Sequence, residues 1–240
     1  MCGIAGILNF RNNNNGDNNT LLKQRLQSMN NALQHRGPDG EGIWINEEGS
    51  VALGHRRLSI IDLSNAGHQP MHYVSKNESY NHRYTITHNG EIYNYIELRE
   101  ELAKHGYTFQ SHTDTEVIVA AYDFWKDLCV DHFDGMFAFA IWDAKEKELF
   151  AARDRFGEKP FFYYFDKNQF LFASEMKALW AAGIDRIPNQ KMLFNFITIG
   201  YTDNPNQPGE TFFENIHKLP TATCLKYYLK KNELTLEKYW

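Results

Sequence analysis

The sequence predicts a layered α+β sandwich, and three observations support this prediction. A few amphipathic helical segments interrupt many short strand segments. Short polar turns such as DAKEKE and DKN join neighbouring strand segments, so those strands must be antiparallel. The chain has 240 residues, of which 42% are hydrophobic and 15% aromatic. That content is sufficient to fill the space between the layers.

The helices are predicted from apolar residues that recur every three or four positions. The first has Leu22, Leu26, Met29 and Leu33 on one face and ends at HRGPDG. A second covers Tyr95 to His105, with Gly106 as its C-terminal cap. A third begins at Thr113–Asp114–Thr115. A short fourth helix lies in SEMKALWAAG, with Ser174 as its N-cap.

The strands are predicted from short apolar runs and alternating patterns. The first eight residues form a buried strand that begins at the terminus. Further strands lie in MFAFAIWD, KELFAARD, PFFYYF and QFLFAS, and TCLKYYLKKNELTLEKYW predicts a final hairpin. The polar, Asn-rich stretch from Arg11 to Thr20 predicts a mobile surface loop.

Composition argues against several classes of function. The formal net charge is −5, which disfavours nucleic acid or an anionic membrane as the main partner. No apolar run is long enough to span a membrane, and the N-terminus lacks a signal-peptide pattern, so a cytoplasmic address is expected. The three cysteines are widely spaced and the ten histidines form no ligand motif. A disulfide framework or a metal site is therefore not expected.

The opening MCGIAGILNF places a cysteine directly behind the initiator methionine. Cys2 is either an ordinary core or surface thiol, or a nucleophile that becomes N-terminal when Met1 is removed. In the second case Cys2 carries a free α-amine, with an ordinary pKa of about 8. Such an amine can act as the general base for the thiol of the same residue.

Two arginines precede an apolar pair in GHRRLSIIDLS, residues 54–64. Both can be solvated, or one can point inward and hold a carboxylate through its planar guanidinium.

HNGEIYN, residues 88–94, follows a strand pattern. Asn89–Gly90 forms either a tight turn or an oxyanion hole made by the Asn amide and an uncovered Gly N–H. Glu91 adds a carboxylate at the same turn. His88 is an alternative base in a Cys–His pair, although Cys2 would have its own amine.

SHTDTEV places Asp114 at a helix start, where it either caps the helix or receives a substrate ammonium. Taken together, the nucleophile with its own base, the donor pair, the arginine and the acids suit an α-amino acid whose side-chain amide is attacked. Glutamine is such a molecule.

Eight motifs follow one another along the chain: MCGIAG, HRGPDG, GHRRLSIIDLS, HNGEIYNY, SHTDTEV, DGMFAFAIWD, ARDRFGEKPFFY and FASEMKAL. In these motifs the sequence closely resembles the glutaminase domain of glutamine-hydrolysing asparagine synthetases. That family consists of class II amidotransferases of the N-terminal-nucleophile hydrolase superfamily. MCGI alone fits several amidotransferases, whereas RGPDG, RLSIID and RDRFGEKPFFY indicate the asparagine-synthetase branch. The likeness extends from residue 2 to the last residue.

The resemblance implies a four-layer αββα sandwich of two antiparallel sheets and a role for each matching residue. Cys2, exposed by loss of Met1, attacks the glutamine amide carbon to form a thioester, and water then releases glutamate. Asn89 and the Gly90 N–H hold the oxyanion. The implied substrate-binding groups are Arg57 on the α-carboxylate, Asp114 on the ammonium, Glu91 on the amino-acid head, and the backbone of Ile60 and Ile61 along the pocket.

The resemblance also sets expectations beyond the site. Residues 1–240 are interpreted as a single glutaminase domain, with 205–240 its tail leading toward a synthetase domain. No SGGxDS-like run is present, so no cofactor is expected here, and ATP and Mg are expected only in that synthetase domain. The expected partners are glutamine and the synthetase domain of the same polypeptide, and a homodimer is left open. A retained Met1 leaves Cys2 without its base and predicts an inactive state.

Three functions stay open from the sequence. The first is glutamine hydrolysis that supplies ammonia for ATP-dependent asparagine synthesis. The second is the same glutaminase serving another acceptor, such as a sugar or peptide. The third is a catalytically silent structural or regulatory domain, which loss of Cys2, Arg57, Asn89 or Asp114 would favour; all four are present.

Overall fold

The computed structural model describes residues 1–9, 16–74 and 83–240, with the side chains of 16–18 excepted. The helices within these ranges are α1 (Gly16–Ala32), α2 (Tyr95–Lys104), α3 (Asp114–Trp125), α4 (Met176–Ala181) and α5 (Gln190–Ile199). The strands are β1 (Gly3–Asn9), β2 (Gly40–Ile45), β3 (Val51–Arg57), β4 (Met71–Tyr73), β5 (Tyr84–Ile92), β6 (Gly135–Asp143), β7 (Glu148–Arg153), β8 (Phe162–Phe165), β9 (Gln169–Ala173), β10 (Ile216–Lys218), β11 (Thr223–Tyr228) and β12 (Glu233–Lys238).

The strands form two six-stranded sheets. Sheet A has the order β10-β8-β9-β1-β3-β2, and sheet B has the order β12-β11-β7-β6-β5-β4. Each strand pair within both sheets is antiparallel. The short connections within β6–β7, β8–β9 and β11–β12 are the turns that the sequence predicts, and the final hairpin is confirmed.

Side-chain alternation along the strands defines four layers. On β1, Ile4 and Leu8 pack between the sheets, whereas Ala5 and Ile7 pack against α1 and α4. Sheet B alternates in the same way, and its outer face packs against α2 and α3. Because successive residues of a strand point to opposite faces, each sheet buries one face on helices and the other on its partner sheet. The αββα sandwich is therefore confirmed.

The first helix begins earlier than the sequence predicts. Leu22, Leu26 and Met29 are buried on one face of α1 as expected. Residues 16–20, however, belong to α1 and not to a loop, so this part of the loop prediction is wrong. Packing of the downstream apolar face on sheet A stabilises the helix, and this outweighs the weak helix propensity of asparagine. Residues 10–15 lie outside the described residues.

Two predicted helix caps have different outcomes. Gly106 follows α2 in a left-handed conformation, φ 83°, as a C-terminal cap requires. Ser174 does not cap α4, whose N-cap is Glu175. The Ser174 hydroxyl instead accepts a hydrogen bond from the Ile4 N–H at 3.0 Å. The start of β1, beside Cys2, needs this partner, so the cap prediction was wrong.

The last part of the chain belongs to the sandwich. β10 pairs with β8 in sheet A, and β11 lies between β7 and β12 in sheet B. The stretch 205–240 therefore supplies strands to both sheets. That it leads toward a further domain stays a prediction.

Candidate active site

A cavity of about 180 Å³ lies at one end of the space between the two sheets. Cys2 precedes β1 here, while β3 and β5 end here and α3 begins here. All eight site residues that the sequence predicts line this cavity: Cys2, Arg57, Ile60, Ile61, Asn89, Gly90, Glu91 and Asp114. In sheet A, the antiparallel pair of Gly3 and Arg56 places Cys2 near Arg57, and Asn89, Gly90 and Glu91 come from the end of β5 in sheet B.

The Cys2 thiol is held against the backbone of Leu58. Its Sγ accepts a hydrogen bond from the Leu58 N–H at 3.3 Å and lies 3.6 Å from the Leu58 carbonyl oxygen. Burial raises the pKa of the Cys2 thiol, while the Leu58 N–H and the positive charges of the N-terminus and Arg57 oppose this rise. The thiol is therefore protonated at neutral pH and needs a base before it can attack. With Met1 attached, the nitrogen of Cys2 is an amide and cannot be that base.

Strand alternation separates the two adjacent arginines. Arg57 has the parity of Val51 and Leu53, which pack between the sheets, so its side chain reaches the cavity. Arg56 points to the opposite face, where its guanidinium donates to the Asn30 carbonyl at 3.0 Å. The physical basis for choosing Arg57 is thus the period of two along β3.

The guanidinium of Arg57 is fixed by the loop that follows β3. It donates to the carbonyl oxygens of Ser64, at 2.8 Å, and of Asp62. A Cβ on Gly67 would come within 2.3 Å of this guanidinium, so a larger residue there would displace the guanidinium from its present position. A fixed, charged fork at the cavity wall is suited to a carboxylate.

Asn89 presents an unpaired carboxamide to the cavity. The residue is 1% exposed, and neither its Oδ1 nor its Nδ2 has a hydrogen-bond partner among the described residues. Gly90 lies so close to β6 that a Cβ would meet the Met136 carbonyl oxygen at 2.1 Å. Buried polar atoms usually have hydrogen-bond partners. The unpaired Asn89 amide in the same cavity as a thiol therefore indicates that it hydrogen-bonds to a ligand that occupies the cavity only part of the time.

Asp114 is the first residue of α3 and is almost completely buried. Its Oδ2 accepts a hydrogen bond from the Ile92 N–H at 3.0 Å. Burial raises the pKa of Asp114 to about 6, against the lowering effect of hydrogen bonds from Ile92 and Thr115. A buried carboxylate of this kind gains from a bound cation, such as a substrate ammonium.

Two buried histidines lie beside the cavity, and within the described ranges neither forms a hydrogen bond with Cys2 Sγ. His88 shares a hydrogen bond of 3.1 Å between its Nδ1 and Thr115 Oγ1. The Nε2 of His55 donates to the His88 carbonyl at 3.0 Å. Burial is the main reason that the pKa of each imidazole is lowered to about 3. Both rings are neutral at physiological pH, and the geometry does not favour His88 as the base of a Cys–His pair.

Several residues of the cavity wall are not among those that the sequence predicts. The Gln69 side chain accepts from the His88 N–H at 2.6 Å and donates to Thr115 Oγ1 at 3.2 Å, which ties β5 to α3. Lys159 also lines the cavity, although it belongs to the loop between β7 and β8. Its only signal in the sequence is its place in the RDRFGEKPFFY motif.

Cys2 lies directly before the first strand of an αββα sandwich, at the open end of the inter-sheet layer. This sandwich of two antiparallel sheets is the fold of the N-terminal-nucleophile hydrolases.

Comparison with known proteins specifies the family within this class. The model of the glutamine amidotransferase domain family matches residues 1–240. The chain belongs to this family.

Curated relatives support the same assignment. The chain is 38% identical over 256 residues to a putative glutamine-hydrolysing asparagine synthetase 2 of Methanocaldococcus jannaschii, covering 100% of the chain and 46% of that protein. It is 39% identical over 245 residues to the glutamine-hydrolysing asparagine synthetase 3 of Bacillus subtilis, covering 100% of the chain and 36% of that protein. The chain thus spans less than half the length of these relatives, and the resemblance to asparagine synthetases is confirmed.

The fold has a counterpart among solved structures. The glutamine phosphoribosylpyrophosphate amidotransferase of B. subtilis superposes with a TM-score of 0.70 at 19% identity, over 100% of this chain and 49% of that one. At this identity the likeness supports the fold alone.

Proposed function

We propose that this domain hydrolyses the side-chain amide of glutamine to glutamate and ammonia through a Cys2 thioester. We further propose that the ammonia serves ATP-dependent synthesis of asparagine from aspartate in the full-length enzyme. The observation that carries the proposal is the cavity in which the Cys2 thiol and the unpaired, buried Asn89 carboxamide lie together.

The first step is attack by Cys2 Sγ on the amide carbon of glutamine. Once Met1 is removed, the α-amine of Cys2 takes the thiol proton, and the S–C bond forms as the C=O π electrons move onto oxygen. The Asn89 side-chain N–H and the Gly90 N–H stabilise that oxyanion. Such donors are effective because they are already in place and shielded from water.

The tetrahedral intermediate then breaks down. Its C–N bond cleaves, the proton held by the α-amine passes to the leaving nitrogen, and ammonia departs. Water attacks the thioester through a second oxyanion in the same hole, the C–S bond cleaves, and the thiol and glutamate are released. The amine acts as base and then acid in each half of the reaction.

The amino-acid head of glutamine is bound away from the reacting carbon. Arg57 is suited to the α-carboxylate, and Asp114 and Glu91 to the ammonium side. The backbone of Ile60 and Ile61 lies along the same wall. The positive Arg57 and the negative Asp114 and Glu91 together orient the amino-acid head, so the amide carbon is presented to Cys2.

Further parts of the proposal concern the whole protein. The hydrolysis needs no cofactor, and ATP and Mg are assigned to a synthetase domain of the same polypeptide. No helix among residues 16–74 and 83–240 is both long and apolar enough to cross a membrane. All three cysteines are free thiols, which suits a cytoplasmic address.

The test is an intact mass spectrum of the purified protein before and after incubation with 6-diazo-5-oxo-norleucine, a glutamine-shaped thiol alkylator. We expect loss of Met1 and one adduct that peptide mapping places on Cys2, with excess glutamine protecting the thiol. A processed terminus with no adduct would contradict the proposal. A retained Met1 with no adduct would identify the inactive, unprocessed state, in which removal of Met1 by an aminopeptidase should restore the reaction.

A further inference from the structure

A buried lysine stands at the wall of the cavity beside the N-terminus. Lys159 is 5% exposed. Within the described ranges its ammonium has no carboxylate at ion-pair distance, and its hydrogen-bond partner is the Met1 sulfur at 3.6 Å. Buried charges are normally paired, because taking an unpaired ammonium out of water costs several kcal/mol. An unpaired buried charge at a reactive cavity therefore indicates a functional role.

The backbone around Lys159 is rigidly held. Asp154 accepts from the Lys159 N–H at 3.0 Å, and the Arg153 guanidinium donates to the Lys159 carbonyl at 2.7 Å. Asp154 also accepts from the N–H groups of Phe156 and Glu158. The N–H and the carbonyl of Lys159 are thus both held by the side chains of Arg153 and Asp154 at the end of β7. This fixes the backbone from which the Lys159 side chain extends to the cavity.

The contact between Met1 and Lys159 shows that this ammonium lies near the nitrogen of Cys2. Five covalent bonds separate the Met1 sulfur from the Cys2 nitrogen, so that nitrogen lies within about 10 Å of Lys159 Nζ. Removal of Met1 has two effects at once: it frees the α-amine, and it removes the thioether that covers the ammonium. The two amino groups then face one cavity.

We propose that Lys159 is an electrostatic tuning residue that keeps the α-amine of processed Cys2 in its neutral, basic form. This rests on the proposed function, in which that amine is the base. A neighbouring positive charge disfavours protonation of the amine, so more of it is free base at neutral pH. Other charged or titratable groups also face this region: Arg36 on the Cys2 carbonyl, Arg57, Asp62, His88, Glu91 and Asp114. They are common to all variants below, so differences between variants report on Lys159.

The experiment is a pH profile of glutaminase kcat at saturating glutamine, where substrate already occupies Asp114. Lys159→Met keeps the length of the side chain without its charge, and Lys159→Arg keeps the charge. We expect the acidic limb of Lys159→Met to move up by about one pH unit, as two charges at this separation imply. Lys159→Arg and the exposed-turn control Lys167→Met should keep the wild-type limb. An unmoved limb in Lys159→Met, or a loss of kcat that is equal at all pH values, would overturn the proposal.

A second measurement does not depend on activity or on the folding of a variant. The pH dependence of α-amine labelling, read by peptide mass spectrometry on the Met1-free wild-type protein, gives the pKa of the amine directly. A value below the ordinary range of about 7.7–8.0 is expected, and a value within or above it would overturn the tuning role. If Cys2 fails to react with 6-diazo-5-oxo-norleucine while the amine pKa is low, the proposed function fails and the electrostatic inference stands.

Discussion

The two ends of the inter-sheet layer are built by the same sheets but differ in chemistry. At the closed end, level with Leu8 of β1, the rings of Phe170 and Tyr227 stack at 5.0 Å. At the open end, the layer holds the Cys2 thiol, the neutral His55 and the Asn89 carboxamide. One end is a close-packed core of aromatic rings, whereas the other is polar and leaves the Asn89 carboxamide without a hydrogen-bond partner among the described residues.

This difference shows how one scaffold separates stability from function. β3 contributes Val51 and Leu53 to the apolar core and, with the same parity, Arg57 to the cavity. Each unpaired buried polar group costs about 1–3 kcal/mol, and aromatic burial elsewhere offsets that cost. Substitutions at the closed end should therefore change stability, and substitutions at the open end should change turnover.

The largest effect is expected from Cys2→Ala. Without the nucleophile, ammonia release should fall to background, while glutamine binding persists because Arg57 and Asp114 are untouched. Coupled glutamate assays and calorimetric titration with glutamine measure the two quantities. Cys224→Ala, which removes a thiol far from the cavity, is the control. Unchanged turnover in Cys2→Ala would end the nucleophile assignment.

Phe170→Ala tests the closed end, where its buried ring stacks on Tyr227. Loss of a buried, stacked ring should lower the free energy of unfolding by about 3–5 kcal/mol. At temperatures where the variant is folded, the KM for glutamine should match that of the wild type. Urea denaturation and steady-state kinetics provide both values. A changed KM with unchanged stability would show that the two ends are not separable.

Asn89→Ala should show the opposite pattern. Removing one oxyanion donor should lower kcat by about 10²–10³-fold, or about 3–4 kcal/mol in transition-state stabilisation. Because the amide has unpaired atoms, its removal should leave thermal stability equal or higher. A variant with normal kcat and a lower Tm would identify Asn89 as a structural residue.

Arg57→Ala should mainly raise the KM for glutamine, since the carboxylate contact exists in both ground and transition states. The neighbouring Arg56→Ala is a matched control, because Arg56 points to α1 and should affect stability alone. A fall in kcat without a change in KM would contradict the carboxylate role of Arg57.

The smallest effect concerns pH. The pKa of about 6 at Asp114 means that its carboxylate becomes protonated as pH falls through that value, so the KM for glutamine should rise below pH 6. The same raised pKa means that ionisation opposes folding, so without substrate stability should decrease as pH rises from about 4 to about 6. Asp114→Asn should remove both trends, as kinetics and denaturation across this range can measure. Trends that persist in Asp114→Asn would assign them to another group.

The sequence predicts the layers well because helices and strands have different periods. Leu22, Leu26 and Met29 repeat as a helix face, and the strand patterns around 136–173 alternate or run apolar, so local chemistry determines these elements. The chemistry of the residues alone makes Cys2, Asn89–Gly90, Glu91 and Asp114 candidates, and the family resemblance gives each a role and adds Arg57, Ile60 and Ile61. The sequence pattern alone does not say which arginine faces the cavity. The alternation of side chains along β3 in the structure places Arg57 there and Arg56 on the opposite face.

Other features depend on contacts between distant parts of the chain. Ser174 has the local pattern of a helix cap, but the N–H of Ile4, 170 residues earlier, determines its role. Lys159 reaches the cavity because Asp154 and Arg153 hold its loop, and no periodicity encodes that placement. The roles of Ser174 and Lys159 can therefore be assigned only from the three-dimensional structure.

The hydrogen bonds around Cys2 have a consequence for the chain end that the proposed loss of Met1 would create. A terminus is usually the part of a protein that frays first. Here the Cys2 carbonyl is held by the Arg36 guanidinium at 2.8 Å, and Ser174 holds Ile4 through both the side chain and the backbone. An exopeptidase that removes Met1 would have to break these hydrogen bonds before it could remove Cys2. In the proposed Met1-free form, these hydrogen bonds would therefore oppose removal of Cys2 and loss of its thiol.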